Sequence, residues 1–562
     1  MKQFIFLFVL LIGSLFLRVA WLDRIPSGIS GDELLYVLEA KSVALTGRDL
    51  TGTWYPLSVF QFSYPPNELQ AELPYLLNIP IVGLTSFSLF TARLTSAILS
   101  VLTILGFYFL VREIFNKPVA MITALVAAIN PWQIYIGRTV YDMVPAVCFY
   151  LWAMYVMLLR KGKYLLWSLP LFILAFYSYI GTKVILLPIV ILTSLYLVKE
   201  FPHRKNKKNA VILLAAIVIF ISFFVYSLHI AKGATRLSEI IQVDDPLITQ
   251  AVDSMRKVSI RNPLVDVFVN KYTITSTIVL TKLLRTFSFD FLFAYGDTFY
   301  SLYSHGLFYF IDVIFLVIGV IAMFVRERRK MLFVFLLTMM GTVPHLIHGA
   351  PTENFTPHIV MMFPFLLLFI GYGINEIIHK KYLAYIIVMA YALSLGNFLQ
   401  LYWFQHPLQG HFDFSYRVVS KYLQMQENDR KVIVYSNRAI DMYKKYLFYS
   451  DSILKENMPA IRAALAGGDI QMNNISFAGC DTGVTTREDV TVVYQSDCVL
   501  PTNTDQFLKI SRLKDGGDEF RIMGDVACQK YELKSYPDHF EMRDLNIEPM
   551  NSQTFCETYI SL

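Results

Sequence analysis

The chain has 562 residues, 55% of them hydrophobic, 15% aromatic and only 16% charged, with a net charge of +6. That composition excludes an ordinary soluble enzyme and describes a polytopic membrane protein whose solvent is the lipid bilayer. The positive charge is scattered in short clusters between apolar runs, so no nucleic-acid partner is expected.

A helical crossing of the hydrocarbon core takes about 20 residues. Apolar runs predict spans at 4–21, 89–111, 119–136, 144–159, 165–179, 184–198, 211–230, 307–325, 331–347, 359–378 and 382–404, about eleven in all. The first has Lys2 ahead of it like a signal peptide, but Arg18-Val19-Ala20-Trp21 contains no small-x-small cleavage site, so it reads as a retained anchor. Lys2, Arg112, Lys117, Arg160, Lys161, Lys163, the cluster 199–208, the cluster 326–330 and Lys380-Lys381 all fall on one side of this map. The positive-inside rule makes that side cytoplasmic. It places the N-terminus in the cytoplasm of an integral protein of the cell membrane, and an odd number of spans leaves the C-terminal part outside.

The first external loop, 22–87, opens with Ser30-Gly31-Asp32-Glu33. Ser30 with Glu33 is a capping box and Gly47 is placed to end the helix, so 31–46 reads as a helix lying on the membrane surface. Capping accounts for one acid in the first turn. It does not account for two beside a membrane face, with Tyr36 one turn after Asp32 on the same side. Further along the loop, Tyr64-Pro65-Pro66 fixes an extended entry into another surface helix.

At the outer end of the third span, Pro131-Trp132-Gln133-Ile134-Tyr135-Ile136-Gly137-Arg138-Thr139-Val140-Tyr141-Asp142 brings two ionisable groups to the same surface. In a helix Arg138 and Asp142 would pair with each other; alternatively both face a cavity, as ionisable groups at span ends often do. The long external loop 231–306 has amphipathic stretches at 237–241 and 248–258 suited to a membrane surface. His345, His348 and His358 flank the loop that follows and stand as ligand or sugar contacts against the alternative of interfacial packing.

From residue 405 the composition turns polar. Residues 431–435 and 489–494 read as strands and 441–449 and 459–465 as helices, so 405–562 forms an extracytoplasmic α/β or α+β domain after a membrane domain of 1–404. Cys148 lies within a span, whereas Cys480, Cys498, Cys528 and Cys556 all fall in this tail. Their wide spacings lack metal-ligand pairs and fit two disulfides, in one of three pairings.

The order of these features resembles a known family. Pro26 ahead of Asp32-Glu33, the Pro-Pro element, Arg93 opening the second span, and Pro131 through Arg138 to Asp142 are similar to the GT-C fold polyprenyl-phosphate-sugar-dependent glycosyltransferases. Within these the pattern is similar to that of the protein O-mannosyltransferases and the lipid A aminoarabinose transferase, most strongly over about residues 20–145. The resemblance implies inverting transfer of a monosaccharide, outside the membrane, from a polyprenyl-phosphate carrier to a hydroxyl of a protein, lipid or glycan. It assigns Asp32 as general base with Glu33 in support. The aminoarabinose transferases have a lysine before Pro-Pro as a phosphate contact, whereas this chain has Tyr64. Charge for the phosphate must then come from elsewhere: Arg138 first, then Arg285, with Lys183, Arg236, Lys271 and Lys282 as further candidates. Asp32 and Asp142 could share a divalent cation. The competing readings are a transporter or flippase, which calls for inverted repeats and interrupted helices, and a membrane-anchored binding scaffold of the cell envelope built around the tail.

Overall fold

The computed structural model describes residues 2–53, 71, 73–230, 246–260, 262–302, 305–348, 355–409, 412, 414–426, 430–480, 490–499, 507–533, 545, 547 and 550–562. Tyr64 with its two prolines, Arg236 and the stretch 237–241 lie outside the described residues.

Every predicted span contains helix. In chain order the helices are α1 (Lys2–Val19), α2 (Gly31–Thr46), α3 (Leu73–Val82), α4 (Leu89–Ile114), α5 (Lys117–Ile129), α6 (Pro131–Ile136), α7 (Met143–Gly162), α8 (Leu165–Ser178), α9 (Gly181–Glu200) and α10 (Arg204–Ile230). They continue with α11 (Pro246–Lys257), α12 (Lys271–Thr286), α13 (Asp312–Arg326), α14 (Arg328–Ile347), α15 (Thr356–Ile377) and α16 (Lys381–Gln405). Among the described residues seven helices, α4, α7, α9, α10, α14, α15 and α16, are long and apolar enough to cross a membrane. The third predicted span is in fact two helices. Asn130 is extended (φ −63°, ψ 134°) and its side chain accepts from Gln133 N, so Asn130-Pro131 stops α5 and starts α6.

Small residues set one close helix crossing. A side chain added at Gly319 of α13 would run into the Phe369 carbonyl, and one at Gly373 of α15 into the Phe315 carbonyl, so these helices meet backbone to backbone. Helix α15 is almost wholly enclosed by its neighbours and forms the centre of the bundle.

The C-terminal part adds α17 (Ser415–Gln424), α18 (Ala439–Tyr449), α19 (Met458–Leu465) and α20 (Ser552–Tyr559). They surround a mixed sheet in the order β2-β3-β1-β4-β6-β5, formed by β1 (Lys431–Tyr435), β2 (Gln471–Met472), β3 (Ile475–Ala478), β4 (Val490–Gln495), β5 (Leu508–Ser511) and β6 (Asp518–Met523). Strand β1 runs parallel to β3 and β4, the remaining pairs are antiparallel, and every residue of β4 from Val490 to Tyr494 is buried. Both disulfides form, Cys480 with Cys498 and Cys528 with Cys556, with Cα separations of 5.3 and 5.4 Å.

This domain does not hang free of the bundle. Leu34, Tyr36 and Val37 of α2 share one apolar core with Val418, Tyr422, Tyr443 and Phe448. Polar ties reinforce it: Ile29 N donates to the Tyr449 hydroxyl (3.0 Å), Arg417 to the Ser27 carbonyl (3.1 Å) and Arg462 to the Asp49 carbonyl (3.1 Å). Helix α2 is therefore gripped between the bundle and the sheet domain.

Candidate functional site

Helix α2 begins as its sequence requires. The Ser30 side chain accepts from Glu33 N (3.3 Å), the Glu33 carboxylate accepts from Ser30 N (2.9 Å), and Gly47 closes the helix in the left-handed region at φ 71°. Glu33 does more than cap. Its side chain is fully buried and paired with the equally buried Arg93 of α4 (Nε–Oε1 3.1 Å), and the same Oε1 accepts from Val140 N at 3.0 Å. Arg93 in turn donates to the carbonyls of Pro26 (2.8 Å) and Gly28. One buried carboxylate thus fixes α2, α4 and the segment leading to Asp142 with respect to one another, and its geometry satisfies the charge it buries. The resemblance placed Glu33 in support of the base; the structure encloses its side chain completely, against Arg93 and Val140 N.

Asp32, on the neighbouring position, points the other way and is exposed. Tyr36, one turn on, reaches across and donates its hydroxyl proton to Asp142 Oδ2 at 2.9 Å, linking two external segments 106 positions apart. Burial pushes the Asp142 carboxyl up to about 7; the Tyr36 hydrogen bond works against that rise and the nearby charge of Asp32 works with it. Two carboxylates are therefore close enough to repel. The same surroundings, burial first and then Asp32 and Asp142, hold the Tyr300 phenol above its ordinary range. Tyr300 sits edge-on to Tyr141 at 5.1 Å and to Phe355 at 5.2 Å, forming an aromatic wall beside the acids. Asp297 anchors that wall, accepting from Phe299 N (2.8 Å) and Tyr300 N (3.1 Å) with one oxygen and from Thr356 N (2.9 Å) and its hydroxyl (2.6 Å) with the other.

Arg138 is a correction. Its guanidinium is fully buried, donates to the carbonyls of Leu17 (3.0 Å) and Ile25 (2.9 Å) and lies 5.4 Å from the centre of the Tyr402 ring. The charge expected for a phosphate instead ties α1 to the loop after α6. The pairing of Arg138 with Asp142 does not form either, because residues 137–142 are not helical. Arg285 is exposed in the last turn of α12. Lys271 is exposed at the start of that helix, and Lys183 lies among the rings of Phe176, Tyr177 and Phe224 at 4.9–5.7 Å. Lys282 is buried and donates to the His348 carbonyl at 2.5 Å, which brings it to the histidines.

Tyr300 and Asp297 were missed. An aspartate followed by Thr298-Phe299-Tyr300 is an Asx-turn pattern that can be read locally, but the contact with Thr356 is not. Among the described residues the sole grouping with metal-ligand spacing, Cys480 with Asp497 and Cys498, has both sulfurs joined in a disulfide, so they are not ligands.

Residues 73–229 match the family described as dolichyl-phosphate-mannose-protein mannosyltransferase. No curated protein matches the chain. Among solved structures, ArnT from Cupriavidus metallidurans bound to undecaprenyl phosphate is 12% identical with a TM-score of 0.53, over 93% of this chain and 98% of that one. AglB, the archaeal oligosaccharyltransferase from Archaeoglobus fulgidus in complex with an inhibitory peptide and a dolichol-phosphate, is 12% identical with a TM-score of 0.47, over 88% of this chain and 69% of that one. In the Archaeoglobus fulgidus oligosaccharyltransferase complex with Zn and sulfate, this chain spans 61% of the other's length at 14% identity and a TM-score of 0.46. The chain therefore has the GT-C fold, in the form that ArnT has, and over residues 73–229 it is similar to the dolichyl-phosphate-mannose-protein mannosyltransferases.

Proposed function

We propose that this protein is a membrane glycosyltransferase that moves a monosaccharide, with inversion, from a polyprenyl-phosphate carrier to an acceptor hydroxyl at the extracytoplasmic face. The observation that carries the reading is the pair of opposed environments for Asp32 and Asp142: one acid exposed on a clamped helix end, the other half-buried, held by Tyr36 and raised to about 7. The fold shared with ArnT and the match over 73–229 support the same class of donor.

In the reaction the acceptor oxygen bonds to the anomeric carbon while the bond from that carbon to the phosphate oxygen breaks. The electron pair leaves with the polyprenyl phosphate, and the acceptor proton passes to Asp32. The exposed position of Asp32 leaves room for an acceptor. Ionised Asp142 opposes the positive charge that grows on the sugar ring as the leaving bond stretches. Glu33 and Arg93 keep both acids at a fixed spacing. Two close carboxylates of hard oxygens also fit a divalent cation, which Asp32 and Asp142 would hold and which would relieve their repulsion. The sheet domain packs on α2, the helix that carries Asp32.

The test is transfer from a panel of purified polyprenyl-phosphate hexoses and pentoses by the full-length protein in nanodiscs. Asp32→Asn should fold normally and lose about 10²–10⁴ in rate, the usual worth of a general base. Retained transfer by that variant overturns the assignment of the base, and release of polyprenyl phosphate from none of the panel overturns the enzyme reading.

A further inference from the structure

Helix α7 starts beside Asp142 and ends on the far side of the bundle, the side that the positive-inside rule expects in the cytoplasm. Its last turn has a backbone that needs support. Leu159 is extended, and Arg160, Lys161 and Gly162 are all left-handed, at φ 50°, 59° and 86°, a conformation that residues with a Cβ seldom adopt. Buried Asn206 of α10 holds the turn in place by donating to the carbonyls of Lys161 and Phe201, both at 3.0 Å. A side chain at Gly162 would stand 2.9 Å from Leu197 of α9 and 3.0 Å from Asn206, so the turn is seated on both neighbouring helices.

The tie joins two basic segments 45 positions apart. Arg160, Lys161 and Lys163 come from the turn, and 199–208 adds five more lysines and arginines against the single acid Glu200; all eight cations are exposed. Among the described residues no carboxylate forms an ion pair with any of them. The basic cluster 326–330 is different, because Arg326 is bonded to Glu376 and Lys330 to Glu327 at 3.2 Å. Orienting a membrane protein asks only that lysine and arginine lie on one side. It does not ask that two loops be locked together, which gathers like charges and raises their repulsion until an anion relieves it.

We propose that this seam between the α7–α8 turn and the start of α10 binds the headgroup of an anionic phospholipid of the adjoining leaflet, with the acyl chains lying along the outward face of α10. Arg204, Lys208, Ile212, Ala215 and Ile219 recur every three or four positions along that helix and are all exposed. Asn206, Ala210, Leu213 and Ile217 form the buried stripe on the opposite side. Cations and apolar side chains therefore share one face. From Lys208 to Ile219 it runs about 16 Å at 1.5 Å per residue, close to half of a ~30 Å hydrocarbon core and so the depth of one leaflet. Trp167 is exposed on the first turn of α8, which packs against α10, and an exposed indole there marks the headgroup level. A free phosphate would engage the cations alone, whereas a phospholipid engages the cations and the apolar stripe below them.

The test measures binding, and sugar transfer plays no part in it. Full-length protein in nonionic detergent is titrated with phosphatidylglycerol, with phosphatidylcholine and with soluble glycerol phosphate. The chains compared are the parent, Lys161→Gln with Lys208→Gln, Lys161→Arg with Lys208→Arg, and Arg328→Gln with Arg329→Gln. The first pair leaves the other cations of the seam in place, so the orienting charge is largely kept. Phosphatidylglycerol should bind about tenfold or more tighter than phosphatidylcholine, and its affinity should fall as salt is raised. The Lys161→Gln, Lys208→Gln pair should weaken it about thirtyfold, at about fivefold per cation, while the arginine pair binds like the parent and the Arg328→Gln, Arg329→Gln pair is unchanged. Undiminished phosphatidylglycerol affinity in a folded Lys161→Gln, Lys208→Gln variant overturns the site. An equal loss in the Arg328→Gln, Arg329→Gln variant shows a response to total charge and overturns it too. Glycerol phosphate bound as tightly as the lipid overturns the lipid source.

Discussion

Replacing Tyr36 by phenylalanine removes one hydroxyl and keeps the ring that packs 5.8 Å from Tyr75. The hydroxyl is a donor to Asp142 Oδ2 at 2.9 Å. A hydrogen bond to an ionised group contributes about 1.5–3 kcal/mol, and one pH unit corresponds to about 1.4 kcal/mol. Losing it favours the protonated carboxyl, so the Asp142 midpoint should climb from about 7 by about 1–2 units. At pH 7 the ionised share would then fall from about half to about a tenth or less. If ionised Asp142 opposes the sugar's growing charge, the rate of transfer rises with pH along a limb set by this residue, and Tyr36→Phe moves that limb to higher pH while leaving the plateau within reach. The assay is the initial rate of transfer from pH 5 to 9.5, with Asp142→Asn as the control in which the limb disappears. A limb that stays in place in Tyr36→Phe, or moves to lower pH, refutes the reasoning. Stability carries the same signature with a definite sign. Folding raises the carboxyl above its ordinary value of 3.8, so Asp142 favours the folded state fully below that pH, and the contribution is lost as pH rises through about 7.

Other outcomes can be checked on the same preparations. Arg93→Met leaves Glu33 buried without its partner and should cost about 3–5 kcal/mol, read as a loss of folded protein on denaturant titration; a change under about 1 kcal/mol would show that the clamp is not structural. Gly373→Ala must push α15 away from the Phe315 carbonyl and should cost about 1–3 kcal/mol, seen as a lower melting temperature, whereas an unchanged melt would contradict the backbone-to-backbone crossing. Removing the Cys528–Cys556 bond by double alanine substitution opens a 28-residue separation and should cost about 3 kcal/mol. Proteolysis should then cut the sheet domain sooner than in the parent protein, and an unaltered cleavage rate would argue against it.

What could be read in advance follows from the range of the forces involved. The capping box at Ser30 and Glu33 and the stop at Gly47 are local, and they predicted α2 to the residue. Hydropathy found the helices, because a bilayer demands apolar length, yet it ran through Asn130-Pro131, where the break depends on two dihedral angles. The cysteines announced two bridges without saying which pairs, since pairing is a question of three-dimensional distance. Arg138 was misjudged for the same reason: an arginine at a span end looks alike whether it faces an anion or carbonyls of α1 and its following loop, and only the fold brings Leu17 and Ile25 to it. Glu33 was placed in support of Asp32 by the resemblance; successive helix positions face about 100° apart, and the buried partner Arg93, 60 positions later, is brought to it only by the fold.

The grip on α2 bears on how the molecule is made. Ile29 is bonded to Tyr449, 420 positions later, and Ser27 lies against the carbonyls of Pro407 and Phe412, 380 and 385 positions later. Ribosomes deliver α2 almost first and its outer packing almost last, so a nascent chain carries this helix through most of synthesis without the core that holds it. The fixing of α2 is thereby deferred until translation is nearly complete, and a chain cut short before the sheet domain would lack the outer half of the core that holds this helix.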